Sequence, residues 1–116
     1  MRINTSDYSV EFYPDANRIT FRGNLRLRTI DNYSDIMNFI IGHTRKCNDY
    51  MTLDITNLTN LNSAGIASFS LFFIKIRESG KKIRIIASEY IAWQKLCLED
   101  LLQINPNIEF EYIVHH

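Results

Sequence analysis

The chain has no excess charge of either sign: 13 Lys and Arg offset 13 Asp and Glu across 116 residues. No long-range field therefore favours nucleic acid or an anionic membrane, both of which are normally approached with surplus Lys and Arg. Cysteine is scarce and unclustered. Cys47 and Cys97 lie far apart with no CxxC or Cys/His spacing beside them, which argues against a zinc site or redox motif and leaves two reduced core thiols as the expectation. Residues 1–7 lack the apolar stretch of a signal peptide. The longest apolar run, 66–76, is broken by Lys75 and is too short to cross a bilayer. Both features point to a cytoplasmic protein with no membrane insertion. There is no Ser/His/Asp order, no metal-binding helix spacing and no glycine-rich phosphate loop, and Asp31 and Asp54 are not placed like a general acid/base pair. The expectation is a non-enzyme without metal or cofactor. The terminal His115-His116 pair reads as the remnant of a purification tag. That leaves His43, expected to face solvent near a helix end.

Apolar residues make up 46% of the chain, including seven Phe, six Tyr and one Trp, enough to offset the entropy of folding in a single domain. We assign residues 1–116 to that domain, with its core at about 8–112. Residues 8–13 alternate, Pro14-Asp15-Ala16-Asn17 supplies a turn, and 18–27 alternate again, which predicts a hairpin. Asp31 or Asn32 caps a helix whose stripe is Tyr33, Ile36, Met37, Ile40, Ile41 and Thr44. A strand over 50–55 is followed by a polar loop over 57–62. A second helix runs from Ser63 to about Ser79, with Gly80 as its stop. A strand over 83–87 precedes a third helix, capped by Ser88, with a stripe of Tyr90, Trp93, Leu96, Cys97 and Leu101. Pro106 breaks the chain before a last strand over 108–114. Strands separated by helices imply parallel neighbours. The fold class expected is α/β: one domain with a mixed, mostly parallel sheet, an N-terminal hairpin and three main helices.

The segment that carries chemistry is Leu53-Asp54-Ile55-Thr56-Asn57-Leu58-Thr59-Asn60-Leu61-Asn62-Ser63-Ala64-Gly65-Ile66-Ala67. Ala64, Gly65 and Ala67 let the first helical turn approach another backbone closely. Gly65 costs about 1 kcal/mol of helix propensity relative to Ala, so something must compensate for it. Ser63 stands where helix N–H groups lack partners and the macrodipole is positive, so a phosphate there is tolerated. Phosphorylation adds roughly −1.5 to −2 charge at pH 7, enough to repel a partner docked on this helix end. The bland alternative is a first-turn or capping serine, and Asn62 is an equal candidate for the cap.

Asn62-Ser63-Ala64-Gly65 and the preceding 53–58 strand resemble the signature of STAS domains, found in bacterial anti-anti-sigma factors and at the ends of sulfate transporters. In that family an Asp-Ser-Ser/Thr-Gly-like turn follows the third strand. Here Asn62 stands for the aspartate and Ala64 for the second hydroxyl residue. Phe21-Arg22-Gly23-Asn24-Leu25 resembles the family's early strand and glycine turn, and the likeness runs from about residue 8 to residue 112. The resemblance implies a STAS-like fold and a partner-switching anti-sigma factor antagonist. Its Ser63 would be phosphorylated by a serine kinase that doubles as the anti-sigma factor, which breaks the complex, and a phosphatase would reset it. The partner-binding residues would be Asn62, Ser63, Ala64, Gly65 and Ile66. The second helix is more apolar than one stripe needs, and Phe69 and Phe72 are the candidates for an exposed patch that a partner covers. A constitutive STAS subunit or scaffold, with Ser63 merely structural, is the alternative. A small-ligand or nucleotide domain ranks last, because no basic residue lies within 57–70 to meet a phosphate.

Overall fold

The computed structural model describes residues 2–98, 100 and 103–113; Leu101, Val114, His115 and His116 lie outside them. Strands β1 (Arg2–Asn4), β2 (Tyr8–Tyr13), β3 (Arg18–Leu25), β4 (Tyr50–Leu61), β5 (Lys82–Ser88) and β6 (Ile108–Ile113) form one sheet in chain order. β1, β2 and β3 pair antiparallel and β3 to β6 pair parallel. Helices α1 (Ser34–Lys46), α2 (Ser63–Arg77) and α3 (Ala92–Leu98) fill the three crossovers. The architecture is the mixed α/β one expected from the pattern of elements.

Each crossover joins neighbouring parallel strands in the same direction across the sheet, so a constant right hand puts all three helices on one face. One core lies beneath them. Val10, Ile19, Phe21, Met51, Leu53, Ile83 and Ile85 from the strands meet Tyr33, Ile36, Ile40, Phe69, Phe73 and Ile76 from the helical layer. The alternate residues point to the opposite, uncovered face, where charge changes sign from strand to strand. Glu11 is on β2, Arg18 and Arg22 on β3, Asp54 on β4, Lys82 and Arg84 on β5, and Glu109 and Glu111 on β6. Ion pairs bridge Arg2 to Glu11 at 3.7 Å and Arg18 to Asp54 at 3.6 Å, and join Arg84 to Glu111. A parallel sheet usually has both faces covered. This one keeps a face wet by neutralising its own charges, although each exposed pair adds little stability, about 0–1 kcal/mol.

Three expectations change. The 57–62 loop is strand as far as Leu61, because Asn57, Leu58, Asn60 and Leu61 pair with the far end of β3 across two register shifts. Gly23 at that end has φ +89, and a Cβ there would meet Asp7 O at 2.2 Å, so only glycine fits. Ser88 does not cap the third helix. It ends β5, its N–H donates to Gln94 Oε1 at 2.8 Å, and the helix begins at Ala92. Gln94 is fully buried, and its Nε2 donates to Ile55 O at 2.7 Å and Leu58 O at 3.0 Å, which ties α3 to β4. Lastly, His43 is half-buried, not solvent-facing, stacked on Phe12 with ring centroids 4.0 Å apart and edge-on to Phe39 at 4.8 Å.

Burial, followed by the nearby Lys46 charge, holds the His43 pKa below its ordinary 6.5. The unfolded chain therefore binds this proton more readily than the folded one, and stability is lost as pH falls from about 6.5 through the folded value. In urea titrations between pH 7.5 and 5, wild type should lose stability relative to His43→Gln. Equal slopes for the two proteins would refute a neutral, stacked imidazole.

Candidate functional site

The functional candidates converge where β4 turns into α2. Asn62 is the cap: its backbone is extended (φ −87, ψ 178) and its Oδ1 accepts the Gly65 N–H at 3.0 Å. It does more than cap. The same Oδ1 lies 2.6 Å from the Tyr33 hydroxyl, which donates to it, and Asn62 Nδ2 donates to Leu27 O at 2.6 Å. The Tyr33 oxygen in turn accepts the Leu27 N–H at 3.2 Å and lies 3.2 Å from Leu25 O. Tyr33 is fully buried. Burial pushes its pKa up, with the Leu27 N–H opposing that shift, so the phenol stays a neutral donor. One amide side chain thus joins the loop after β3, the turn before α1 and the first turn of α2.

Asparagine is required for this arrangement. A carboxylate would keep the cap but would present no donor to Leu27 O, the bond that the amide nitrogen supplies. Gly65 is equally constrained. It is buried, and a Cβ there would meet Leu61 Cδ1 at 2.3 Å and the Tyr33 oxygen at 2.8 Å. The compensation its helix cost demands is therefore the close packing of Leu61 and the Tyr33 oxygen against it.

Ser63 sits between these fixed residues and is itself exposed in the first turn of α2. Among the described residues its hydroxyl has no hydrogen-bond partner, and α2 has no acidic residue in its first turn. The positive end of a 15-residue helix is therefore not neutralised by a neighbouring carboxylate. Ala64 is half-buried and packs against the core, and Ile66 is half-buried. Of the expected site residues, Asn62 to Ile66 are brought together. Phe69 and Phe72 are not available to a partner: they are 4% and 1% exposed and lie in the core. The apolar residues of α2 left outside are Leu71 and Ile74, 47% and 37% exposed. Periodicity had not separated the two sets because α2 is apolar nearly all round. Tyr33 and Leu27 were missed as site residues, since nothing in sequence ties them to Asn62 at separations of 29 and 35.

Among the described residues no group of three or more His, Cys, Asp or Glu side chains could hold a metal ion, and no helix is long and apolar enough to cross a membrane. Cys47 is buried and Cys97 half-buried, both unpaired.

The sheet order and the three one-sided helices define a mixed α/β domain, mostly parallel, with an N-terminal antiparallel hairpin. Among solved structures the chain is similar to SiaC of Pseudomonas aeruginosa, with a TM-score of 0.74 at 13% identity over 99% of this chain and 98% of that one. It matches equally, at TM-score 0.74 and 13% identity with 99% of each chain covered, the structure of the diguanylate cyclase SiaD in complex with its activator SiaC from the same organism. Apo-SiaC from that organism gives 0.65 at 11% identity, over 98% of this chain and 94% of that one. At such identity the likeness is one of fold. No family model matches the sequence, and neither does any curated protein.

Two substitutions separate the latch from the cap. Asn62→Asp retains the acceptor for Gly65 but loses the bond to Leu27, and should destabilise by about 1–3 kcal/mol in denaturant melts; an unchanged or raised stability would mean that capping alone matters. Gly65→Ala should also destabilise, by about 1–3 kcal/mol of overpacking despite its better helix propensity. In a Tyr33→Phe background the Ala substitution should cost less. Strict additivity of the two would show that the Tyr33 oxygen is not what excludes the methyl.

Proposed function

We propose that this chain is a phospho-regulated protein-interaction module of a partner-switching pathway, acting in the cytoplasm and without catalytic activity of its own. The observation that carries the reading is the exposure of Ser63 at the first position of α2, between two residues that the fold cannot change. A phosphate there meets the positive helix end and breaks no packing contact. It alters the surface that a partner sees while leaving the domain intact. The likeness to SiaC, the activator of a cyclase, supports a partner that is itself a protein. The unmodified form binds that partner, a serine kinase adds the phosphate and the complex parts, and a phosphatase resets it. The partner decides the output, which is sigma-factor control in the anti-sigma antagonist reading, or control of an effector enzyme.

Intact-mass and peptide mapping of the protein from its own cells, grown with and without stress, tests this. Phosphate is expected on Ser63 and should vanish in Ser63→Ala. Ser63→Asp should weaken the purified partner complex at least tenfold while changing stability by no more than about 0.5 kcal/mol. If no condition yields phosphate and both variants hold the partner as wild type does, the chain is a constitutive scaffold.

A further inference from the structure

On the open sheet face three ion pairs join charged neighbours on adjacent strands. On the helical face a groove of about 160 Å³ runs between α1 and α2, walled by Ile30, Met37 and Leu71. Ile30 and Leu71 are 46% and 47% exposed. Asp31 and Lys75 also line it, and neither is in an ion pair among the described residues. α1 and α2 cross the same sheet face between parallel strands, so they run side by side in one direction. Asp31, just before α1, therefore marks their shared N-terminal end, and Lys75, in the last turns of α2, their C-terminal end.

We infer that this groove is the docking site for an amphipathic helix of a partner protein, lying antiparallel to α1 and α2, with an acidic residue in its first turn on Lys75 and a basic residue in its last turn on Asp31. The orientation follows from charge. A helix is itself stabilised by acidic residues at its start and basic residues at its end, and only the antiparallel placement delivers those two signs to Lys75 and Asp31. Its apolar stripe, spaced at three and four residues, covers Ile30, Met37 and Leu71 as in other helix-in-groove recognition. The groove shares α2 with Ser63, so docking and modification involve the same helix. This deepens the reading above and rests on it only in taking the chain to be a protein-interaction module.

A synthetic helical peptide with a Leu stripe, Glu in its first turn, Lys in its last and a spin label at its N-terminus provides the probe. It should bind the unphosphorylated wild-type domain, with the label broadening amide signals around Lys75 and leaving those around Asp31 sharp. Leu71→Asp should weaken binding about tenfold. Lys75→Glu should weaken it about fivefold and regain wild-type affinity for a peptide whose first-turn Glu is replaced by Lys. Arg84→Glu on the sheet face should bind as wild type does. Absence of binding, indifference to Leu71→Asp and Lys75→Glu, or broadening around Asp31 would each overturn the assignment. Since every measurement uses unmodified protein, such a failure leaves the Ser63 switch standing, and absence of phosphate on Ser63 leaves the groove standing.

Discussion

The structure around the site depends on one side-chain amide. Asn62 accepts from the Gly65 N–H and the Tyr33 hydroxyl through one oxygen and donates to Leu27 O through its nitrogen. The stretch from Leu27 to Tyr33 and the distant first turn of α2 are held by bonds that each contribute only about 1 kcal/mol net. Breaking one leaves a shielded polar group unpaired, and that costs more than the bond contributes. The close approach of Leu61 and Tyr33 then dictates glycine at position 65, and the first turn fixed there leaves Ser63 exposed. The motif therefore has a structural cause before it has a functional one: its Asn and Gly are residues the fold needs, and the Ser between them is the one it does not.

A second constraint is the sheet's one-sidedness. With all three crossovers on one face, the opposite face of a largely parallel sheet meets water. Threonines and alternating charges there keep the strands from offering an apolar surface. Two of those threonines, Thr20 and Thr52, are themselves buried, 4% exposed each. The helical face had no such requirement, and α2 could remain apolar on its outer side at Leu71 and Ile74. That asymmetry, more than the number of apolar residues, distinguishes a surface suited to a partner from one suited to solvent.

Much of the fold was legible in the sequence because its signals are local. The hairpin, the α1 stripe at Ile36, Ile40 and Ile41, the start of α2 at Ser63 and its end before Gly80 all follow from alternation, spacing and caps within a few residues. What was not legible is long-range. β1 spans only three residues and is made a strand by pairing with β2, not by any pattern of its own. The second half of β4 looks like a polar loop because Asn57, Thr59 and Asn60 serve the end of β3, where Thr59 Oγ1 donates to Gly23 O at 3.0 Å. Ser88 before Glu89 has the form of a cap, yet the buried Gln94 claims its N–H. In the site, Ser63 and Asn62 could be read from the turn. Tyr33 and Leu27 could not, and the inward placement of Phe69 and Phe72 was undetermined in a helix with no polar face.

The separation of these roles bears on how the proposed modification of Ser63 would be read out. Had the serine been the cap, a phosphate would displace the bond that starts α2, and the domain would loosen as the signal arrived. With Asn62 as the cap and no carboxylate in the first turn, the roughly −1.5 to −2 charge of a phosphate would fall on a positive helix end that accepts it. Under the proposed switch, partner and domain would respond in opposite senses: the fold would gain a favourable charge interaction, and a docked surface would meet new charge and bulk. A switch built this way transmits through its surface and needs no change of conformation in the domain that carries it.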